Sequence, residues 1–159
     1  MSAEISTKHA LEAEARQLRR RNEPFQGGNS VRVLLVEDHA ELAELTAQML
    51  CSEGLDVRVA GSGREALDSA SKFRPQLVLC DLHLPDISGR DVIRALRKSP
   101  ATKKAYAVIL TAMSPAEVHA YNRSAKAHGV DEYVAKPLTI DGVHDLLSRL
   151  TAPRSGAPN

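Results

Sequence analysis

The sequence predicts an α/β fold built on a doubly wound, five-stranded parallel sheet. Three observations carry that prediction. Five short aliphatic runs recur between residues 31 and 150, each is followed by a stretch with helical spacing of its apolar residues, and turn-forming residues separate the two kinds of segment. Strand–helix alternation of this kind calls for parallel strands, right-handed crossovers and helices on both faces.

The elements follow in order. VRVLLV (31–36) reads as a strand, and 39–52 as a helix with Leu42, Leu45, Met49 and Leu50 on one face. LDVRVA (55–60) alternates like a strand, and 62–72 reads as a helix whose Ser62 and Glu65 have capping-box spacing. QLVLC (76–80) is a continuous apolar run of the kind buried on both faces. The helix over 87–98 carries Val92, Ile93 and Leu96. AYAVIL (105–110) is a strand, and 115–128 a helix opened by Ser114 with Glu117 and by Pro115 at its first position. EYVA (132–135) is a short strand. The last helix, 139–150, uses Ile140, Val143, Leu146, Leu147 and Leu150, with Thr139 as cap and Asp141 as first-turn acid.

Residues 1–30 differ in composition and form an N-terminal extension. A short helix over about 10–21 places Leu11, Ala15 and Leu18 at i, i+4 and i+7, and Gly27-Gly28 follows as a linker. The thin stripe suits one side of a coiled coil, a helix docked on the domain, or a fluctuating tail. Residues 151–159 are Pro/Gly/Ser-rich and read as a disordered tail. A net charge of +1 and 3% aromatic residues argue against a nucleic-acid or membrane surface. No apolar stretch approaches a membrane span and the N-terminus lacks a signal-like apolar core, so the expected location is the cytoplasm. Cys51 and Cys80 sit in apolar contexts without metal or redox spacing, and two reduced, buried thiols are expected.

The chemistry gathers at the strand ends. LVLC (77–80) runs directly into Asp81, and a charge there costs free energy unless it is paired, metal-bound or exposed at a sheet edge. On that stretch alone, Asp81 is equally a site residue or a turn former. In an open parallel sheet, however, the carboxyl ends of the strands converge, and sites are built there. Glu37 and Asp38 follow strand 1, Asp81 follows strand 3, Thr111 follows strand 4, and Lys136-Pro137 follows strand 5. Three carboxylates repel unless a cation joins them, and hard oxygen ligands suit Mg²⁺. The lysine offers a point charge and the threonine a hydroxyl for phosphoryl oxygens. A carboxylate can itself be the nucleophile of an acyl phosphate. The set reads as metal-assisted phosphoryl transfer to Asp81.

This order, ED…D…T…KP on a five-fold βα chain, resembles the response-regulator receiver domain, the CheY-like flavodoxin-type fold of two-component signalling. The resemblance covers about residues 31–150. Pro85 and Gly89 match the DxxxPxxxG that follows the acceptor, Ala112 the small residue after the threonine, and Tyr133 the aromatic switch three residues before the lysine. It implies that Asp81 accepts phosphate from a histidine kinase or a histidine phosphotransfer protein. Glu37 and Asp38 would hold Mg²⁺ with Asp81 and the backbone carbonyl of His83; the family's Asp-Asp is here Glu-Asp, a frequent variant. Lys136 and Thr111 would bind the phosphoryl group, and Tyr133 would swing inward behind Thr111. His83 and Met113 occupy positions that tune phosphate lifetime. The helix–strand–helix face within 115–150 would meet a downstream protein or a second copy. The resemblance implies no enzyme beyond self-phosphotransfer and autodephosphorylation, and the near-neutral charge leaves no nucleic-acid or membrane partner expected.

Other readings compete at particular residues. Tyr133 by itself is equally a strand-packing residue. His39 with His83 offers a weak transition-metal pair, and His9, His119, His128 and His144 read as solvated. Gly61-Ser62-Gly63-Arg64-Glu65-Ala66 fits a dinucleotide fingerprint but follows the second strand, where a turn with a Ser62 cap is simpler. Two further functions stay open: the receiver segment of a hybrid histidine kinase, and a small Mg²⁺-dependent aspartyl-phosphate phosphatase.

Overall fold

The computed structural model describes residues 30–152. The helix expected over 10–21, its glycine linker and the tail beyond residue 152 lie outside the described residues. The elements are β1 (Arg32–Val36), α1 (Ala40–Ser52), β2 (Asp56–Ala60), α2 (Gly63–Phe73), β3 (Leu77–Asp81), α3 (Gly89–Lys98), β4 (Tyr106–Thr111), α4 (Pro115–Asn122), a 3-10 turn (Ala125–His128), β5 (Glu132–Ala135) and α5 (Ile140–Thr151). The strands are all parallel in the order β2-β1-β3-β4-β5. Expected strand and helix boundaries agree to within a residue or two except after residue 122.

The period-2 geometry of the strands divides the aliphatic residues between two cores. Leu34, Val36, Val78, Cys80 and Ile109 face α2 and α3. Val33, Leu35, Leu77, Leu79 and Val108 face α1 and α5. The central strand β3 is fully buried from Leu77 to Cys80. Each such side chain contributes about 1.5–3 kcal/mol of burial.

The caps are where the sequence places them. Ser62 Oγ accepts from the Glu65 amide, Thr139 Oγ1 from the Gly142 amide, and Ser114 with Glu117 forms a reciprocal capping box. His39 caps α1, its Nδ1 accepting from the Leu42 amide.

Four expectations are corrected. Leu45 is 65% exposed, because α1 approaches the sheet through Ala43, Ala47 and Leu50. Small alanines occupy the closest approach, and the larger leucine points outward. Cys51 is exposed at the last turn of the same helix, whereas Cys80 is buried, and both are free thiols. Ile140 is 46% exposed at the first turn of α5. The single helix expected over 115–128 ends at Asn122, whose side chain is engaged by β5, and resumes as the 3-10 turn closed by Gly129 at φ 77°.

At the amino ends of β4 and β5 one guanidinium ties three segments together. Arg97, on α3, donates to the carbonyls of Gly129, Lys103 and Ala105 and to the carboxylate of Asp131 at 2.6–2.9 Å. Asp131 Oδ2 also accepts from the Ala107 amide.

Candidate functional site

Strand register brings the functional side chains together. β1 pairs Val36 with Cys80 of β3, so Glu37 and Asp81 are next along neighbouring strands. β3 pairs Asp81 with Leu110 of β4, which sets Thr111 one residue further. β4 pairs Thr111 with Ala135 of β5, and Lys136 follows. The Lys136 amide extends that ladder by donating to the Thr111 carbonyl at 2.7 Å. Residues 99 apart in sequence thereby meet: Lys136 Nζ stands 3.0 Å from Glu37 Oε2 and 3.0 Å from Asp81 Oδ2.

Glu37 is buried, Asp81 half-buried and Asp38 exposed, and one oxygen from each lies within 4.8 Å of the others. Three carboxylates thus face one ammonium, two negative charges in excess. That excess and the all-oxygen donor set fit a hard divalent cation. Among the described residues no histidine joins this cluster, and His39 has its Nδ1 occupied as a helix cap. Burial by itself would push the Lys136 ammonium down, but its bonds to Glu37 and Asp81 outweigh that and hold it above its usual value. Burial first, and then the neighbouring Asp81 and Glu37 charges, push the Cys80 thiol far above its usual range, so it serves as an inert core residue.

The loop after Asp81 is held at two points. Gly89 donates its amide to the Leu82 carbonyl, and a Cβ there would stand 2.2 Å from the Asp81 carbonyl oxygen, so only glycine fits. Asp86 reaches back to the N-terminus of α2, its two oxygens accepting from the amides of Gly63 and Arg64 at 2.9 Å. Those bonds hold its carboxyl below the usual range. They also occupy the amides that a dinucleotide phosphate would need, which disposes of the fingerprint reading of 61–66. His83 is exposed, with its amide directed to Asp81 Oδ1 at 3.4 Å.

Thr111 is buried and its Oγ1 accepts from the Met113 amide at 3.3 Å. Ala112 is exposed beside it and Met113 packs half-buried against the core. Tyr133 is 1% exposed, its ring turned into the core. Asn122 clasps its backbone, accepting from the Tyr133 amide at 2.6 Å and donating to its carbonyl at 3.0 Å. Arg90 Nε donates to Tyr133 Oη at 2.8 Å. Tyr121 meets Tyr133 edge-on, with ring centroids 5.4 Å apart.

Of the residues singled out in the sequence, Glu37, Asp38, Asp81 and Lys136 come together and Thr111 and Tyr133 stand on the adjoining strands. Asp86, Arg90, Tyr121 and Asn122, which the sequence reading did not single out, hold the surrounding segments. One signal was available: Arg90 lies in the first turn of α3, where a cation opposes the helix dipole and so needs another reason to be there. His119 and His128 are exposed as expected, but His144 is half-buried against Glu53.

Comparison with known proteins agrees with this geometry. The family model described as the response regulator receiver domain matches residues 33–148. The probable transcriptional regulatory protein TcrX of Mycobacterium tuberculosis is 38% identical over 117 residues, covering 73% of this chain and 47% of TcrX. The chain therefore spans about half the length of that curated relative. A putative response regulator from Chloroflexus aurantiacus superposes with a TM-score of 0.68 at 30% identity, covering 78% of this chain and 100% of that one. The receiver domain of the sensor histidine kinase PA1611 from Pseudomonas aeruginosa, solved with a magnesium ion in its active-site cleft, gives 0.66 at 26% identity, covering 77% and 98%.

Proposed function

The chain belongs to the response regulator receiver family, and from that premise we propose that it is a phosphoacceptor switch of a two-component phosphorelay. The observation that carries this reading is the single ammonium of Lys136 shared at 3.0 Å between Glu37 and Asp81, beside a third carboxylate. An Asp81 carboxylate oxygen attacks the phosphorus of a phosphohistidine, on a kinase or a histidine phosphotransfer protein. The P–N bond breaks, the imidazole leaves, and an acyl phosphate remains on Asp81. Bound by Glu37, Asp38, Asp81 and the His83 carbonyl, Mg²⁺ would neutralise charge on the transferring group. Lys136, 3.0 Å from Asp81 Oδ2, would follow a phosphoryl oxygen, and Thr111 Oγ1 would donate to another. His83 and Met113 would tune how long the phosphoryl group survives on Asp81. Output passes by protein contact through the face formed by α4, β5 and α5.

TcrX is described as a transcriptional regulator, which does not favour the hybrid-kinase reading. Against the phosphatase reading, position 83 holds an exposed histidine where a phosphatase of the haloacid-dehalogenase kind would carry its general acid. No helix among the described residues is long and apolar enough to cross a membrane.

The test is intact-protein mass after incubation with acetyl phosphate. The expected result is one added phosphoryl group, dependent on Mg²⁺ and absent in Asp81→Asn. Labelling of Asp81→Asn at the wild-type rate would rule out Asp81 as the acceptor.

A further inference from the structure

The Arg90 cluster goes beyond the phosphoacceptor reading and rests on it for its coupling to the site. Arg90 is the second residue of α3, in the turn that offers free amides and favours anions. A guanidinium there is unfavourable unless something else holds it. Two tyrosines do: its carbon lies 5.3 Å from the centroid of the Tyr121 ring and 5.5 Å from that of Tyr133. Both distances are within range for cation–π attraction. Its Nε also donates to the Tyr133 hydroxyl at 2.8 Å, a charge-assisted bond in a half-buried setting. The hydroxyl oxygen of an otherwise buried ring is thereby satisfied inside the protein.

The opposite side of the residue is fixed as well. Asn122 holds both backbone groups of Tyr133, and the edge-on Tyr121 ring closes the remaining side. Tyr133 thus meets a full set of partners in its inward position. Arg90 is also covalently next to Gly89, which lies so near the Asp81 carbonyl that a side chain there would clash with it. The acceptor strand and the tyrosine therefore share one helix turn as their mechanical neighbour.

We infer that Arg90 is a positioning residue that latches Tyr133 inward and biases the α4–β5–α5 face toward its partner-binding shape. A bias of this kind is reciprocal: whatever holds the inward state also strengthens binding of a phosphoryl group that prefers it. Loss of the latch therefore weakens the site at a distance, with Glu37, Asp38, Asp81, Thr111 and Lys136 untouched.

The experiment uses the full chain labelled with 3-fluorotyrosine, whose three tyrosines are Tyr106, Tyr121 and Tyr133. Fluorine resonances are assigned by single Tyr→Phe variants, and beryllofluoride with Mg²⁺ serves as the phosphoryl mimic. In wild type the Tyr133 resonance is expected to be that of a buried ring and to change little on adding beryllofluoride. In Arg90→Leu it moves toward its position in the unfolded chain, Tyr106 stays in place as the folding control, and beryllofluoride binds roughly tenfold more weakly. Arg90→Lys keeps the charge but loses the Nε donor and the planar stack, and falls between the two. It carries the test if Arg90→Leu does not fold. A Tyr133 resonance identical in wild type and variants overturns the latch. A shifted resonance with unchanged beryllofluoride affinity overturns the coupling. Failure of the wild-type chain to bind beryllofluoride sinks the receiver reading itself, while the resonances in its absence still judge the latch.

Discussion

The two ends of the sheet treat charge in opposite ways. At the amino ends of β4 and β5, the Arg97 guanidinium meets three carbonyls and the Asp131 carboxylate, and Asp131 takes an amide as well. Donors and acceptors there are matched. At the carboxyl ends, one ammonium pairs with two of three clustered carboxylates, and the cluster keeps two negative charges in excess. Both ends use the same side-chain chemistry and the same sheet. The matched end has nothing to gain from a ligand. The mismatched end holds electrostatic repulsion that a bound cation would relieve. Stability and function are thus separated along the strand axis, by register rather than by composition.

The comparison breaks most sharply at Arg97. Arg97→Met should cost about 3 kcal/mol, because it strands the Asp131 carboxylate and three carbonyls in a setting only partly open to water. Chemical denaturation checks this, and a cost near zero would mean that water replaces the guanidinium without penalty. At the other end a charge removal should act with the opposite sign. Asp38→Asn relieves repulsion and should raise metal-free stability by about 0.5 kcal/mol. The same change should abolish the rise in melting temperature expected of wild type on adding Mg²⁺. Calorimetry with and without Mg²⁺ reads both effects, and an undiminished Mg²⁺ response would take Asp38 out of the cation site.

The smallest effect tests the one matched acid near the site. The amides of Arg64 and Gly63 hold the Asp86 carboxyl below its ordinary value of 3.8. A lowered folded value means that its stabilisation is complete above the ordinary value and is lost as pH falls through the lowered one. Asp86→Asn should therefore flatten the acid limb of the stability profile below about pH 4 and leave it unchanged in shape near neutrality. Melting curves from pH 6 downward check this, and parallel acid limbs for the two proteins would refute it.

Most of the fold was legible because alternating periodicity is local. Val78 and Cys80 against Leu77 and Leu79 declare two covered faces within four residues. The gathering of Glu37, Asp81, Thr111 and Lys136 at one edge was legible because strand ends in a parallel sheet converge by topology, so it needed only a count of strands. What failed depended on size and distance. Leu45 outranked Ala43 in hydrophobicity, yet a helix close to a sheet needs the smaller residue inside. The break after Asn122 depends on Tyr133, eleven residues later, and the Arg90–Tyr133 bond spans 43 residues. No local pattern announces such pairs. The same holds for the Arg97 knot, whose partners look like ordinary loop carbonyls in sequence.

The clasp of Asn122 on Tyr133 bears on self-association. β5 is an outer strand of the sheet, and its outward amides and carbonyls are a template for pairing with another chain. The Asn122 amide meets one donor and one acceptor of that four-residue strand, as a neighbouring backbone would. A foreign strand adding at this edge would first have to displace it. The side chain that ends α4 thus also blunts an aggregation-prone edge, and the short strand remains a terminus of the sheet instead of a seam between molecules.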